Sequence, residues 1–569
     1  MKEIKLSSTG ELLIKFPYDP DLVNKVKQVG GAKWDKQSYV WRIMVNPSNA
    51  ESITKFAAVN GFDVAPAVRE AINKITAAVE SNISASSASA ADIDVVGLGG
   101  ELMPFQKAGV AYASQTKRCF IGDEMGLGKT VQALAALHHL NAYPAIVICP
   151  ASLKYNWERE AKKWLPGKSV IVMNGGKVED IIADIVILNY DIVKKWQEKL
   201  LLVGAKAIVL DESHYLKNGK AIRTKVTAEL VKNIPIRLCL TGTPVMNRPS
   251  ELISQLKILG RLDELGGFMH FAKRYCNMHQ TKWGMDMSGA SNLMELNQKL
   301  RASCYVRRQK IDVLPELPAK QRTVVDVEID NKAEYRKAKA NIVSWLKSNA
   351  IRDKSFHVSL AGKTESEIQA AKNQRAEDAG QKAQRAEQLV KIETLKKIAV
   401  DGKMAAIEEW VEDFLETGEK LVLFAHHRDV VKRLADKFNA VQVIGGDDAE
   451  DRQKAVDKFQ NDPDCKIIVC SLQAGGVGIT LTASSNVAFV ELGWTPAIHD
   501  QAEDRTHRIG QKDSVNAWYL LGKGTIDEDI NALIDRKRQV VNAVTDGNVE
   551  QEKTSILDDL IDKIVAGGE

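Results

Sequence analysis

The stretch Ile121 to Thr130, I-G-D-E-M-G-L-G-K-T, restricts this chain to a small set of folds. Apolar Cys119-Phe120-Ile121 ahead of it reads as a strand, and Val131 to Leu140 behind it reads as a helix. A glycine-broken turn at a strand-to-helix junction is built to hold a polyphosphate. Backbone N–H groups from Gly126 to Thr130 point at the phosphates from the helix N-terminus. Lys129 reaches the β and γ oxygens, and the Thr130 hydroxyl ligates Mg²⁺. Asp123 stands where the strict P-loop pattern has its first glycine, so the loop alone leaves an ordinary glycine-containing turn as the alternative.

At 569 residues the chain exceeds what one core can organise, and three or four folding units are expected at roughly 150 residues per domain. No apolar run approaches the ~20 residues of a membrane span, and the start Met1-Lys2-Glu3-Ile4-Lys5 lacks a secretory h-region. The expected location is intracellular and cytoplasmic, with no membrane partner. The seven cysteines include no C-x-x-C pair, so they read as small core residues in a reducing compartment. With 78 basic against 74 acidic side chains, any nucleic-acid surface has to be local.

Residues 1–65 read as a small α+β unit. Trp34, Tyr39 and Trp41 beside Lys33, Lys36 and Arg42 support two readings, base-stacking platforms flanked by phosphate contacts or the core of a tiny domain, and spacing alone favours the core. Residues 66–98 read as a helix followed by a flexible linker, because Asn82 to Ala91 is rich in Ser and Ala and poor in large apolar groups. On that reading the small unit is tethered to the rest and not fused with it.

From Gly99 strands and helices alternate, as in a parallel sheet covered on both faces. Gln106 precedes the loop strand, where its amide suits an adenine edge or is simply a solvated helix residue. Ser152, Lys154 and Trp157 follow the strand Ala145 to Pro150 at its carboxyl end, the crevice in which ligands bind, and are candidate DNA contacts. Ala207 to Leu210 runs directly into Asp211-Glu212-Ser213-His214, the expected companion of a P-loop. Asp211 holds Mg²⁺ through its hydration shell and Glu212 orients and deprotonates the attacking water. His214, Thr241, Gly242 and Thr243 are candidate couplers that exchange hydrogen bonds as the γ-phosphate leaves, although His214 also suits a plain satisfied polar role. Further on, Ser471 and Gln473 open a glycine-rich stretch suited to phosphate contacts, which includes Gly478. Gln501, Arg505 and Arg508 are spaced i, i+4, i+7, which puts them on one helical face. Two arginines so placed suit a transition state with charge on three phosphate oxygens, the alternative being a solvated basic face.

D-E-M-G-L-G-K-T, D-E-S-H, L-T-G-T-P and Q-A-E-D-R-T-H-R-I-G-Q, in that order, resemble the Swi/Snf-type ATPases of helicase superfamily two, in which Asp at the first loop position is usual. The segment Tyr305 to Pro318 is similar to the one that leads from the first lobe of that family to the second. F-P-Y-D-P and G-G-A-K-W-D-K-Q-S-Y-V-W-R resemble the HARP domain of annealing helicases. The resemblance implies an α/β fold of two RecA-like P-loop lobes with helical insertions, preceded by a small α+β N-terminal domain. It divides the chain into lobe 1 over 99–265, a helical insertion and inter-lobe segment over 266–402, lobe 2 over 403–546 and a tail over 547–569. ATP would then contact Gln106, Asp123, Glu124, Met125, Gly126, Leu127, Gly128, Lys129, Thr130, Gly478 and Gln501, with Lys129, Asp211, Glu212, Arg505 and Arg508 catalytic and Thr130 and Asp211 holding Mg²⁺. The implied activity is ATP-driven translocation by a monomer on double-stranded DNA, acting on forked or branched DNA. A remodeller that displaces proteins from DNA and a branched-DNA binder with weak ATPase activity are the alternatives.

Overall fold

The computed structural model describes residues 2–29, 31–47, 49–175, 181–242, 248–281, 284–341, 367–475 and 479–546. They form two compact units, one running to Leu317 and the other over Pro318–Arg538.

The first unit opens with strands β1 (Glu3–Leu6), β2 (Glu11–Lys15), β3 (Lys33–Asp35), β4 (Val40–Met44) and β5 (Asp63–Val64), in the order β3-β4-β2-β1-β5. Helices α1 (Pro20–Gln28) and α2 (Ala50–Val59) supply Leu22, Val26, Ile53 and Phe56 to a core shared with Ile4, Leu12, Ile14, Trp41 and Ile43. The Asp19 carboxylate accepts from the N–H groups of Asp21 (2.9 Å) and Leu22 (3.2 Å), so the P-Y-D-P motif is a helix start with Pro at the first position.

Helix α3 (Pro66–Ser87) corrects the linker expectation. Val68 near its start belongs to the N-terminal core, while at its far end the Asn82 amide donates to Ala302 O (2.9 Å) and Ser86 O accepts from Arg307 N (3.0 Å). Alanine is the strongest helix former, and small side chains let α3 lie close on the helix Leu293–Ser303. The composition that reads as a missing core is what close approach requires. One continuous helix joins the N-terminal domain to the remainder of the first unit.

Next come α4 (Pro104–Thr116), β6 (Arg118–Ile121), α5 (Lys129–His139), β7 (Ala145–Cys149), α6 (Lys154–Trp164), β8 (Val170–Val172), β9 (Ile185–Asn189), β10 (Ala207–Asp211), β11 (Ile236–Leu240), the hairpin β12 (His279–Thr281) and β13 (Gly284–Asp286), and β14 (Tyr305–Val306). Seven of these strands make one parallel sheet in the order β14-β6-β11-β10-β7-β9-β8. Strands β7, β9 and β11 are buried throughout, as strands covered on both faces must be. Because β14 completes this sheet, residues 266–317 belong to lobe 1 and are not an insertion.

Lobe 2 starts earlier than position 403. Strand β15 (Lys320–Val327) pairs in parallel with β20 (Val515–Gly522), and β16 (Leu421–Ala425), β17 (Val441–Val443), β18 (Ile467–Ser471) and β19 (Asn486–Phe489) complete the order β15-β20-β19-β16-β18-β17. The helix Glu367–Leu415 buries Ile392, Leu395, Met404, Ile407 and Val411 against this sheet, so its second half is core. All seven cysteines are buried thiols. Among the described residues no helix is long and apolar enough to cross a membrane.

Candidate active site

Three neighbouring strands of the first sheet, β6, β11 and β10, end where the sequence motifs begin. After β6 the chain passes through Gly126 and Gly128 at φ +88° and +76°, values open to glycine at little cost, and enters α5 at Lys129. The Lys129 ammonium folds back into its own loop and donates to Asp123 O (2.8 Å) and Glu124 O (3.3 Å). Burial pushes its pKa down to about 8, against the pull of Glu212 and Asp123. A bound phosphate would replace neutral carbonyls with a full negative charge, so the cradle fits a polyphosphate.

Asp211 closes β10. Its Oδ2 accepts from the Trp157 indole N–H (2.7 Å), its Oδ1 from Glu212 N (2.9 Å), and its carbonyl from the Tyr190 hydroxyl (2.7 Å). Burial and the adjacent Glu212 carboxylate raise the Asp211 pKa well above the usual range. A divalent cation would relieve that repulsion, and the Thr130 hydroxyl lies one residue past Lys129, so the residues also fit Mg²⁺. Glu212 has φ +48°, a left-handed conformation that a non-glycine residue holds at a cost. Its Oε2 lies 3.3 Å from His214 Nδ1, while Ser213 donates to Gln255 Oε1 (2.8 Å). Between the two strands Thr241 is buried, and a Cβ on Gly242 would stand 2.8 Å from Met125 and 3.4 Å from the Lys129 ammonium. Lys129, Asp211, Glu212, His214, Thr241 and Gly242 are therefore brought to one place. Thr243 and Gly478 lie outside the described residues.

Several expected contacts need correction. The Asp123 carboxylate has no exposed surface and its oxygens are taken by protein donors. It accepts from Arg308 Nη2 (2.5 Å), Nε (2.9 Å) and backbone N (3.0 Å), and from Gln132 Nε2 (2.8 Å). Glu124 likewise accepts from Lys310 N (2.7 Å). Gln106 donates to Leu127 O (3.3 Å) and accepts from Met103 N (3.0 Å), so its amide braces the loop with one N–H and one lone pair. Trp157 is fully buried against Asp211, and the Lys154 ammonium is spent on Met173 O (3.1 Å) and Asn174 Oδ1 (2.5 Å), which removes both from the DNA-facing set. Exposed Ser152 stays in it.

Arg307, Arg308, Gln132 and Tyr190 are site residues that sequence reasoning missed. One signal was present for Arg308: Ile121 pairs with Val306, and Asp123 and Arg308 are opposite charges each two residues beyond those adjacent parallel strand ends.

In the second unit the helix Pro496–Glu503 carries buried Gln501 but stops before the arginines, so the single helical face predicted for Gln501, Arg505 and Arg508 is not formed. The Thr506 hydroxyl and N–H both donate to Glu503 O (2.9 and 3.1 Å), and Arg505 N donates to Ala502 O (3.1 Å), which tightens the ladder to i−3 bonds and ends the helix. Arg505 Nε then donates to Gln501 O (3.1 Å), while Arg508 donates to Asp504 O (2.7 Å) and Thr480 Oγ1 (3.1 Å). The acidic letters of the motif serve the fold: Glu503 accepts from Arg322 Nε and Nη2 (2.7 Å each) and from the Tyr519 hydroxyl (2.8 Å), and pairs with Lys320 (2.9 Å). Ser471 is buried at the end of β18 and Gln473 is exposed just beyond it.

In the N-terminal sheet the three aromatics divide by burial. Trp41 is core at 7% exposure, whereas Trp34 and Tyr39 are 45% and 73% exposed with ring centroids 6.4 Å apart. Lys33 and Lys36 are exposed beside them, while Arg42 is held by Asp35 and Glu11.

Residues 72–416 match the SNF2-related domain and residues 402–510 the helicase conserved C-terminal domain. The SWI/SNF-related matrix-associated actin-dependent regulator of chromatin subfamily A-like protein 1 of Xenopus laevis is 32% identical over 94% of this chain and 54% of its own length. The DNA annealing helicase and endonuclease ZRANB3 of Mus musculus is 32% identical over 79% of this chain and 41% of its own. This chain thus spans about half the length of the curated relatives it matches. Among solved structures, the Sulfolobus solfataricus SWI2/SNF2 ATPase core in complex with dsDNA is 26% identical over 80% of this chain and 95% of that one, with a TM-score of 0.38. The extent of the SNF2-related match, over motifs that the fold gathers at three adjacent strand ends, shows that this chain belongs to the SNF2-related helicase family.

Proposed function

We propose that this chain is a DNA-dependent ATPase that translocates on double-stranded DNA and acts on forked or branched DNA, in whichever compartment holds that DNA. The observation that carries the proposal is the gathering of Lys129, Asp211 and Glu212 at the ends of β6 and β10, with Gly242 between them. The annealing activity named for a relative supports the choice of forks. Mg²⁺, held by Thr130 and by Asp211 through water, would neutralise phosphate charge when bound. Lys129 binds the phosphates, Glu212 takes the proton of the attacking water, and Trp157 keeps Asp211 oriented. Arg505 and Arg508 supply positive charge as the γ-phosphate departs. Ser152 and Gln473 offer exposed groups to a DNA backbone, and Trp34 and Tyr39 offer faces for unpaired bases at a fork.

The test is ATP hydrolysis without DNA, with single strands, with duplex and with forks, and the expected order has forks and duplex well above the other two. A rate indifferent to DNA sinks the proposal. Glu212→Gln is expected to bind ATP and lose ~10²–10⁴ in turnover, whereas Lys129→Ala loses nucleotide binding itself. Turnover by Glu212→Gln above roughly a tenth of normal removes it as general base.

Trp34→Ala is expected to weaken fork binding ~5–150-fold, the equivalent of ~1–3 kcal/mol for one stacked base, with the melting temperature unchanged. Trp41→Ala instead unfolds the small domain, since emptying a buried aromatic site costs ~3–5 kcal/mol. Fluorescence anisotropy and circular dichroism separate the two, and fork binding untouched by Trp34→Ala removes it from the interface.

A further inference from the structure

Arg307 stands at a junction that the hydrolytic chemistry does not use. Its Nη1 donates to Gly122 O and to Gly242 O, both at 2.9 Å, so one buried guanidinium ties the residue that leads into the phosphate loop to the strand end beside Lys129. Its own backbone N–H is anchored on the carbonyl of Ser86 (3.0 Å), in the last turn of α3. Arg301 Nη1 donates to the Ser86 hydroxyl (3.4 Å) and to Arg307 O (3.3 Å), and Arg308, which grips Asp123, donates to Ala88 O (3.5 Å). The other end of α3 is built into the N-terminal core through Val68 and Ile72. A continuous helix moves as a rod, and its far end is bonded to the residue that sets the spacing of two catalytic strand ends.

We propose that Arg307 is a positioning residue through which α3, and with it the N-terminal domain, sets the phosphate loop. Fork DNA held on the N-terminal domain shifts α3. The shift changes the bridge from Gly122 to Gly242, and with it the affinity of the loop for nucleotide. The inference rests on the reading that the N-terminal domain recognises forks.

The test uses the full chain with a fluorescent nucleoside diphosphate as the probe. A Gly-Ser-Gly-Ser insertion between Ala77 and Ala78, where α3 is exposed, makes a hinge that leaves both ends docked. In the intact chain a saturating fork is expected to change the Kd for nucleotide ~5-fold or more relative to duplex, and nucleotide to change fork affinity by the same factor. The hinged chain binds fork alone and nucleotide alone within about twofold of the intact chain, yet the coupling factor falls to about one. Arg307→Lys, which keeps the charge and loses the planar fork, abolishes the coupling with the helix unbroken. A hinged chain with undiminished coupling overturns the proposal while fork recognition stands. Coupling that survives Arg307→Lys but not the hinge removes Arg307 from the path and overturns it as well. An intact chain that binds forks no better than duplex overturns the fork reading and the inference with it.

Discussion

Arg508→Ala is expected to lower DNA-stimulated ATP hydrolysis by ~10³–10⁵, the range for an arginine that stabilises charge on a departing phosphoryl group. The folded state should be nearly indifferent to the change. Arg508 sits past the end of the helix Pro496–Glu503 and makes two hydrogen bonds, to Asp504 O and Thr480 Oγ1, while the ion pairs that hold this region run from Glu503 to Arg322 and Lys320. Burial lowers the pKa of its guanidinium from the usual arginine value, against the pull of Asp504. Stopped-flow phosphate release on duplex and fork DNA measures the loss, and anisotropy shows whether DNA still binds. A variant that hydrolyses ATP normally but no longer holds DNA reassigns Arg508 to the nucleic-acid surface.

The largest loss of stability is expected for Arg308→Ala, about 3–5 kcal/mol, because it strands a carboxylate with no exposed surface. Asp123 would keep only the Gln132 amide and the backbone N–H of residue 308. Phe105 O and Gln132 Oε1 would lose a donor at the same time. At ~2–4 °C per kcal/mol the melting transition of the first unit falls by roughly 10 °C. Replacing both partners, Asp123→Leu with Arg308→Met, should recover much of the loss, since the expense lies in leaving one charge unpaired. A drop below about 1 kcal/mol in Arg308→Ala shows that the pair is not the main brace of the loop.

What could be read from the sequence divides by distance along the chain. The phosphate loop, Asp211-Glu212 and Thr241-Gly242 were legible because each is a strand running into a short polar stretch, a pattern carried by a few consecutive residues. The roles of Trp157 and Asp123 were not, because a bond between positions 157 and 211, or 123 and 308, depends on strand order that no local window contains. Trp157 was read as a DNA contact from its place after β7, which is right for the loop and wrong for a ring that points inward. The end of the helix at Glu503 turned on one hydroxyl, Thr506, competing for a carbonyl. The Ser/Ala-rich stretch failed for a different reason, since small residues mark both a chain that packs against nothing and a helix pressed close to its neighbour.

The pairing of β15 with β20 bears on how the second unit is made. Residues 320–327 leave the ribosome long before residues 515–522, and until then the strand lacks the partner it has in the sheet. An edge without its partner invites pairing with another chain. Its first half, Lys320-Gln321-Arg322-Thr323, is charged and polar, a poor template for intermolecular strands. Those same cations later become the partners of Glu503, so the groups that guard the nascent edge also lock it once β20 arrives. A closure between such distant segments is slow to form. Refolding of this unit should accordingly be the slow phase of the chain, and neutral replacements at Lys320 and Arg322 should raise the fraction lost to aggregation before they alter the folded protein.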